Sequence, residues 1–466
     1  MGRARWRRIG SPRHATLASH SLQTRFRHWL GSEFFAPHEW RRRTALWVGG
    51  ATVGLAAVVF AKSADLAFAA FHALQTRWPW LPLLCTPAAF ALLAWLTEGA
   101  LRATRGSGIP QVIAALSVED GGFRQRMLAL PVALGKMALT LFALLGGASV
   151  GREGPTVHVG GGLMLWIGQR FGFHDPRVLS RFVLAGGGAG VAAAFNTPLA
   201  GVVFAIEELA GSFEHRFSGI LLTAVIVAGV VALGLLGNYT YFGQVQGHLP
   251  LGWEWLALLV CAGVCGVLGG VFARAVLLSG PTLGRLAGWR ARHPVRFAAL
   301  CGMGLAVLGV LSGGVLFGTG YEQAHQLAQG GEITPAFAAG KLAANVLSYW
   351  AGIPGGLFAP SLAVGAGLGH QLASWFPGVP GPVMVLLGMA GFLAGVTQAP
   401  LTAAVISLEL TANRGLAIPI MACCLLARAA AGLVCPQPLY RALAQRLVEA
   451  DAGPAPAQEA SPNRSG

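Results

Sequence analysis

The 466-residue chain is 54% hydrophobic and 11% charged, with a mean hydropathy of +0.60; soluble domains carry about 25% charged residues. That balance excludes an ordinary soluble domain and points to one large integral membrane domain. The net charge of +15 does not indicate a nucleic-acid partner, because ten arginines precede Thr44 with only Glu33 and Glu39 opposing them, as in a cytoplasmic, positive-inside N-terminal segment.

Residues 1–43 are therefore expected to form a basic cytoplasmic segment. No apolar core follows Arg7-Arg8 before the run at Ala45, so no cleavable signal is expected, and Trp6 breaks the myristoylation pattern. From there, apolar runs occupy roughly 45–61, 80–101, 128–150, 155–170, 181–206, 218–237, 253–278, 297–317, 336–351, 357–376, 382–396, 400–411 and 416–434. All read as helical, and several are too short to cross about 30 Å or are interrupted by Gly and Pro. The fold class expected is thus an all-α integral membrane bundle of tilted and broken helices. Basic stretches such as Arg285 to Arg296 are candidate cytoplasmic loops, and residues 442–466 read as a short, largely disordered tail. The 66 glycines are spread through apolar runs, as close helix packing in lipid favours. Seven cysteines form no CxxC pair and the histidines lack ligand spacing, so neither a metal nor any other cofactor is expected.

The two halves echo each other. Phe195-Asn196-Thr197-Pro198-Leu199 leads to Ile206-Glu207, and Thr397-Gln398-Ala399-Pro400-Leu401 leads to Leu408-Glu409. Each Pro-Leu pair follows, by a similar distance, a glycine-rich break closed by proline: Gly151 to Pro155, and Gly352 to Pro360. Interrupted apolar segments at corresponding places in two halves mark a transporter's midplane site. Sequence leaves open whether the repeat is inverted.

Gly151-Arg152-Glu153-Gly154-Pro155-Thr156 lies between two apolar runs, where an arginine and a glutamate are functional by default. Its glycines permit a tight break, and Pro155 suits the first position of a helix. The unpaired N–H groups there form an anion site inside protein. Gly106-Ser107-Gly108-Ile109-Pro110-Gln111 is a third such break. Three helix N-termini can therefore converge on one anion, with the Ser107 hydroxyl as an added donor; alternatively Ser107 caps a short helix. Lys136, alone in the run before Gly151, needs a partner or sets an anion-attracting potential.

Gly-Ser-Gly-Ile-Pro at 106–110, Gly-Arg-Glu-Gly-Pro at 151–155, Gly-Gly-Leu-Phe-Ala-Pro at 355–360 and Pro438-Leu439-Tyr440 together resemble the CLC family of chloride channels and chloride/proton exchangers. The resemblance spans about residues 44 to 441, the proposed transport domain, and preserves motif order. It implies a homodimer in the lipid bilayer with one pore per subunit, each built from inverted repeats. It also implies that Ser107, Tyr440 and the backbone N–H groups of Leu357 and Phe358 bind chloride, with Leu357 standing where isoleucine is usual. Glu153 matches the gating glutamate. Glu208, second of the Glu207-Glu208 pair, matches the cytoplasmic proton-transfer glutamate of exchangers; read without the resemblance, it is a solvated helix end with Arg216 as counter-charge.

The physical reading of Glu153 agrees: an ionised carboxylate occupies an anion position, and a protonated one swings away. The leading function is chloride/proton antiport in a bacterial inner membrane. A passive voltage- or pH-gated chloride channel comes second, ahead of fluoride or nitrate transport. An intramembrane hydrolase using Ser107 comes last, because no histidine lies in that segment and His158 is distant in sequence. No other enzymatic role is indicated.

Overall fold

The computed structural model describes residues 37–99, 101–211, 218–278 and 285–452. Most of residues 1–43, Arg216, and residues 453–466 lie outside them. The chain divides into a unit up to Ala45 and a unit from Leu46 onward. In the first, described from Pro37, Glu39 and Arg42 form an ion pair one helical turn apart. Everything below concerns the second.

Among the described residues, helices are joined by turns, and the only β pairing consists of two isolated bridges. In chain order the first half contains α1 (Pro37–Arg77), α2 (Pro82–Leu96), α3 (Ile109–Ser117), α4 (Gly121–Leu128), α5 (Leu130–Leu145), α6 (Glu153–Arg170), α7 (Pro176–Phe195), α8 (Pro198–Phe204) with a π-turn over Ala205–Ala210, and α9 (Ser218–Leu236). The second contains α10 (Glu254–Leu277), α11 (Arg285–Arg292), α12 (Pro294–Leu311), α13 (Tyr321–Ala328), α14 (Phe337–Trp350), α15 (Phe358–Ala373), α16 (Gly381–Thr397), α17 (Pro400–Thr411), α18 (Ala417–Val434) and α19 (Leu439–Ala452). Seven helical stretches among the described residues are long and apolar enough to cross a membrane, while α2, α16 and α17 are apolar but shorter.

The repeat is physical. Helices α6 and α7 pack against each other, as do α15 and α16, and each crossing is made possible by a pair of facing glycines. A Cβ built on Gly160 would stand 2.2 Å from the Gly186 carbonyl, and one on Gly365 would stand 2.4 Å from that of Gly388. With backbone on both sides, no larger residue fits without separating the helices. After α7 and α16 the chain turns through left-handed residues, Asn196 (φ 57°) and Gln398 (φ 59°), into the Pro-Leu segments.

Those segments clasp each other. Glu207, in the π-turn after α8, accepts hydrogen bonds from the N–H groups of Leu401 and Thr402 at the start of α17 (3.1 and 2.6 Å). Glu409, near the end of α17, accepts from Leu199 and Ala200 at the start of α8 (3.2 and 2.6 Å). Each carboxylate thus caps the positive end of the other repeat's helix. Such reciprocity requires equivalent segments to run antiparallel, so the repeat is inverted.

Three local expectations change. The basic stretch Arg285 to Arg296 is a helix, α11, followed by Pro294 at the head of α12. Helix α6 begins at Glu153, so Pro155 is its third residue, where an N–H would still lack an intrahelical partner; Pro360 sits at the same place in α15. The stretch expected as tail is helical to Ala452, because Leu439, Ala442, Leu443 and Ala444 bury one face of α19.

Candidate ion pathway

The three glycine-containing breaks meet. Gly151 and Gly356 exchange backbone hydrogen bonds (2.7 and 2.6 Å), and Gly355 N–H donates to the Gly106 carbonyl at 3.2 Å. A Cβ on Gly154 would stand 2.4 Å from Ser107 Oγ, and one on Gly108 would stand 2.7 Å from the Gly154 carbonyl. Glycine is therefore what allows the starts of α3, α6 and α15 to converge.

Ser107 is 1% exposed and its hydroxyl has no hydrogen-bond partner. Helix α3 is preceded by Gly108 and lacks any side-chain cap, so the capping role for Ser107 is excluded. Tyr440, fully buried at the start of α19, also has an unpartnered hydroxyl and lies beside Ser107. Its ring stacks on Phe358, with centroids 6.0 Å apart and planes 8° off parallel. Phe358 opens α15 and Leu357 precedes it, so the free N–H groups of that first turn face the same region. Two buried hydroxyls without partners among the described residues thus lie with a helix N-terminus, a donor set whose chemistry suits a small anion.

Glu153 is 2% exposed. Its carboxylate folds back over Gly151, where a Cβ would stand 2.4 Å from Oε2, and lies in reach of the backbone N–H groups of Arg152 and Ala359. Ala359 belongs to the first turn of α15. The carboxylate thus lies against the first turn of α15, while Oε2 has no partner among the described residues.

Glu208 is 3% exposed with Oε1 unpartnered, and it lines a cavity of about 270 Å³ with Arg428 and Arg441. It is not a solvated helix end; Arg216, its expected counter-charge, lies outside the described residues. Glu207, by contrast, is engaged in capping α17. Tyr440 lies within electrostatic reach of both Glu153 and Glu208.

Two larger cavities flank this centre, each of about 760 Å³. One reaches Ser107 and is lined by Arg102, Arg105, Arg290 and Arg446. The other is lined by Arg152, Asp65 and Tyr241. Arg152 donates to Asp65 Oδ1 (2.5 Å) and to the Ala61 carbonyl (2.8 Å). Both cavities thus carry arginine side chains, the kind of lining that attracts anions.

Lys136 is fully buried and donates to the carbonyls of Arg105 (3.2 Å) and Gly106 (2.8 Å). Among the described residues it has no carboxylate partner; it holds the loop that contains Ser107. His158 bonds the Met127 carbonyl at 2.8 Å and not Ser107, which therefore lacks the base a serine nucleophile needs. Among the described residues no cluster of His, Cys, Asp or Glu could hold a metal.

The sequence profile of the family described as voltage gated chloride channel matches residues 89–432. The chain belongs to this family. It is 32% identical over 361 residues to the H(+)/Cl(-) exchange transporter ClcA of Yersinia pestis bv. Antiqua (strain Angola), covering 74% of this chain and 73% of that protein. It is 31% identical over 422 residues to ClcA of Cronobacter sakazakii, covering 86% and 88%. Among solved structures, a slow cyanobacterial Cl-/H+ antiporter superposes with a TM-score of 0.74 at 24% identity, over 88% of this chain and 98% of that one. A CLC-type fluoride/proton antiporter gives 0.74 at 24% identity over 88% and 99%. The chain is an integral membrane protein of CLC fold. Tyr440 lies beyond the profile match and is brought to Ser107 by tertiary structure alone.

Lys341 escaped the sequence reading. It is fully buried and donates to the carbonyls of Leu316 (3.0 Å), Phe317 (3.4 Å) and Gly318 (2.8 Å). The signal was present: Lys136 and Lys341 stand at equal intervals before Glu153 and Phe358, the first residues of α6 and α15.

Proposed function

We propose that the protein exchanges chloride for protons across a bacterial inner membrane, with Glu153 as gate and Glu208 as proton relay. The observation that carries this reading is a pair of buried carboxylates, each with an unpartnered oxygen, both within electrostatic reach of Tyr440 beside Ser107. When ionised, Glu153 fills the anion position at the start of α15. When protonated it loses that attraction and vacates the position for chloride. Chloride then rests on the hydroxyls of Ser107 and Tyr440 and the N–H groups of Leu357 and Phe358. Glu208 supplies protons from the cytoplasmic side across apolar protein, where a carboxyl provides a protonatable step.

The relatives named as H(+)/Cl(-) exchange transporters support antiport over a passive channel. The protein acts as a transporter, with chloride and protons as its cargo. The N-terminal segment faces the cytoplasm, as its arginines favour. Exposed Leu222, Ile226, Ile418 and Leu425 on α9 and α18 suit burial in a homodimer with one pore per subunit. The test is purified protein in liposomes with chloride and proton movement recorded together. A chloride gradient should drive protons uphill; chloride movement without protons would make the protein a channel.

A further inference from the structure

Helix α19 brings two consecutive side chains to two different places. Tyr440 puts its hydroxyl beside Ser107, and Arg441 reaches the π-turn that carries Glu207 and Glu208. Arg441 Nη2 donates to the Glu207 carbonyl at 3.2 Å. Its guanidinium lies over Gly211, the residue that closes this turn: Gly211 N–H donates to the Ile206 carbonyl at 3.0 Å, with φ of 68°. A Cβ on Gly211 would stand 2.3 Å from Arg441 Nη2 and 2.9 Å from Cζ. Glycine is required there twice, for the left-handed backbone and for the space the guanidinium fills. Arg441 thus grips the turn on either side of Glu208 in sequence.

One carboxylate is left for its charge. Both oxygens of Glu207 are taken by the N–H groups of Leu401 and Thr402, and Arg441 bonds the Glu207 main chain instead. Glu208 shares the cavity of about 270 Å³ with Arg441 and keeps Oε1 without a partner among the described residues. The other charged or titratable groups around Glu208 are Glu207 on its own turn, Arg428 of α18 in the same cavity and Tyr440 of α19. Of the remaining helices packed on the π-turn, α3 and α8 carry no titratable side chain. Helix α7 carries Arg177 and Arg181 near its start but meets the π-turn at Gly187, against Leu209. Helix α17 contributes Glu409, whose oxygens are bonded by Leu199 and Ala200 N–H. A fixed cation beside a buried carboxyl favours its ionised form.

We propose that Arg441 is a positioning residue for proton transfer: it fixes the π-turn that carries Glu208 and supplies the cation that returns this carboxyl to its ionised form after each proton has passed. The role of Arg441 rests on the relay reading of Glu208, which does not itself require it. Arg441 is exposed while Glu208 is buried, so water screens the pair and the cation tunes the relay without switching it on or off.

Proton movement per chloride, measured in liposomes against pH, tests this role, because Glu153 gates both ions and drops out of the ratio. Loss of the Arg441 charge should let Glu208 hold its proton to higher pH. Arg441→Gln, which keeps an amide donor for the Glu207 carbonyl, should therefore raise the pH at which the ratio falls to half by roughly half a unit to one unit. Arg441→Lys should keep the wild-type midpoint, and chloride movement should continue in both variants. Sodium gluconate added to the wild type reads the same charge without a substitution: screening should raise the midpoint. A midpoint that Arg441→Gln or gluconate leaves unchanged, or that Arg441→Lys moves as far as Arg441→Gln does, overturns the role of Arg441 alone. A ratio that survives Glu208→Gln overturns it together with the relay reading.

Discussion

Glu207 and Glu208 are adjacent, identical in chemistry and opposite in expected consequence. Glu207→Gln replaces a two-oxygen acceptor that satisfies Leu401 N–H and Thr402 N–H at 3.1 and 2.6 Å. The amide accepts through one oxygen only and presents its NH2 group to the second donor. Hydrogen bonds to a charged group contribute about 1.5–3 kcal/mol each when buried. Because Glu207 is partly exposed, a net loss of about 1–2 kcal/mol is the better expectation. For a chain of this length that lowers the melting temperature by roughly 1–3 °C. Proton coupling should persist. Glu208→Gln, by contrast, alters a buried carboxyl whose Oε1 bonds nothing; proton pumping should fall to background while chloride movement continues. Thermal unfolding in detergent and paired chloride and pH electrodes on liposomes read the two properties from the same preparations. Proton pumping that survives Glu208→Gln, or is abolished by Glu207→Gln, would refute this division of roles.

Glu153→Gln should behave as a permanently protonated gate: chloride flux loses most of its pH dependence and coupled proton flux disappears, both measured in liposomes. Ser107→Pro removes one of two idle hydroxyls and should lower the preference for chloride over nitrate in flux competition, whereas Leu357→Ile, whose contribution is main-chain, should leave it unchanged. Gly365→Ala places a methyl group 2.4 Å from the Gly388 carbonyl; with backbone unable to yield, the α15–α16 crossing should open, seen as loss of monodisperse protein on gel filtration.

The membrane class, the broken helices and the three convergent breaks were legible because each depends on local chemistry: low charge, glycine next to proline, and an ionisable pair between apolar runs. The two halves were legible as a repeat for the same reason, since Asn196 and Gln398 stand at matching left-handed turns before Pro-Leu. Local signals failed where packing decides. Residues after Tyr440 lose apolar character on average, yet α19 buries one face.

The sequence by itself determined the candidates: Ser107 and Glu153 stand in glycine-containing breaks of an apolar chain, whereas Glu208 and Tyr440 are marked by the family resemblance alone. Only tertiary structure decided what surrounds them, because a hydrogen bond depends on partners far along the chain. It left Ser107 and Tyr440 without partners, turned Glu207 into a cap for α17, and left Glu208 unclaimed beside it. It also fixed the repeat as inverted, since a glutamate in each half reaches the start of a helix in the other, and composition carries no direction.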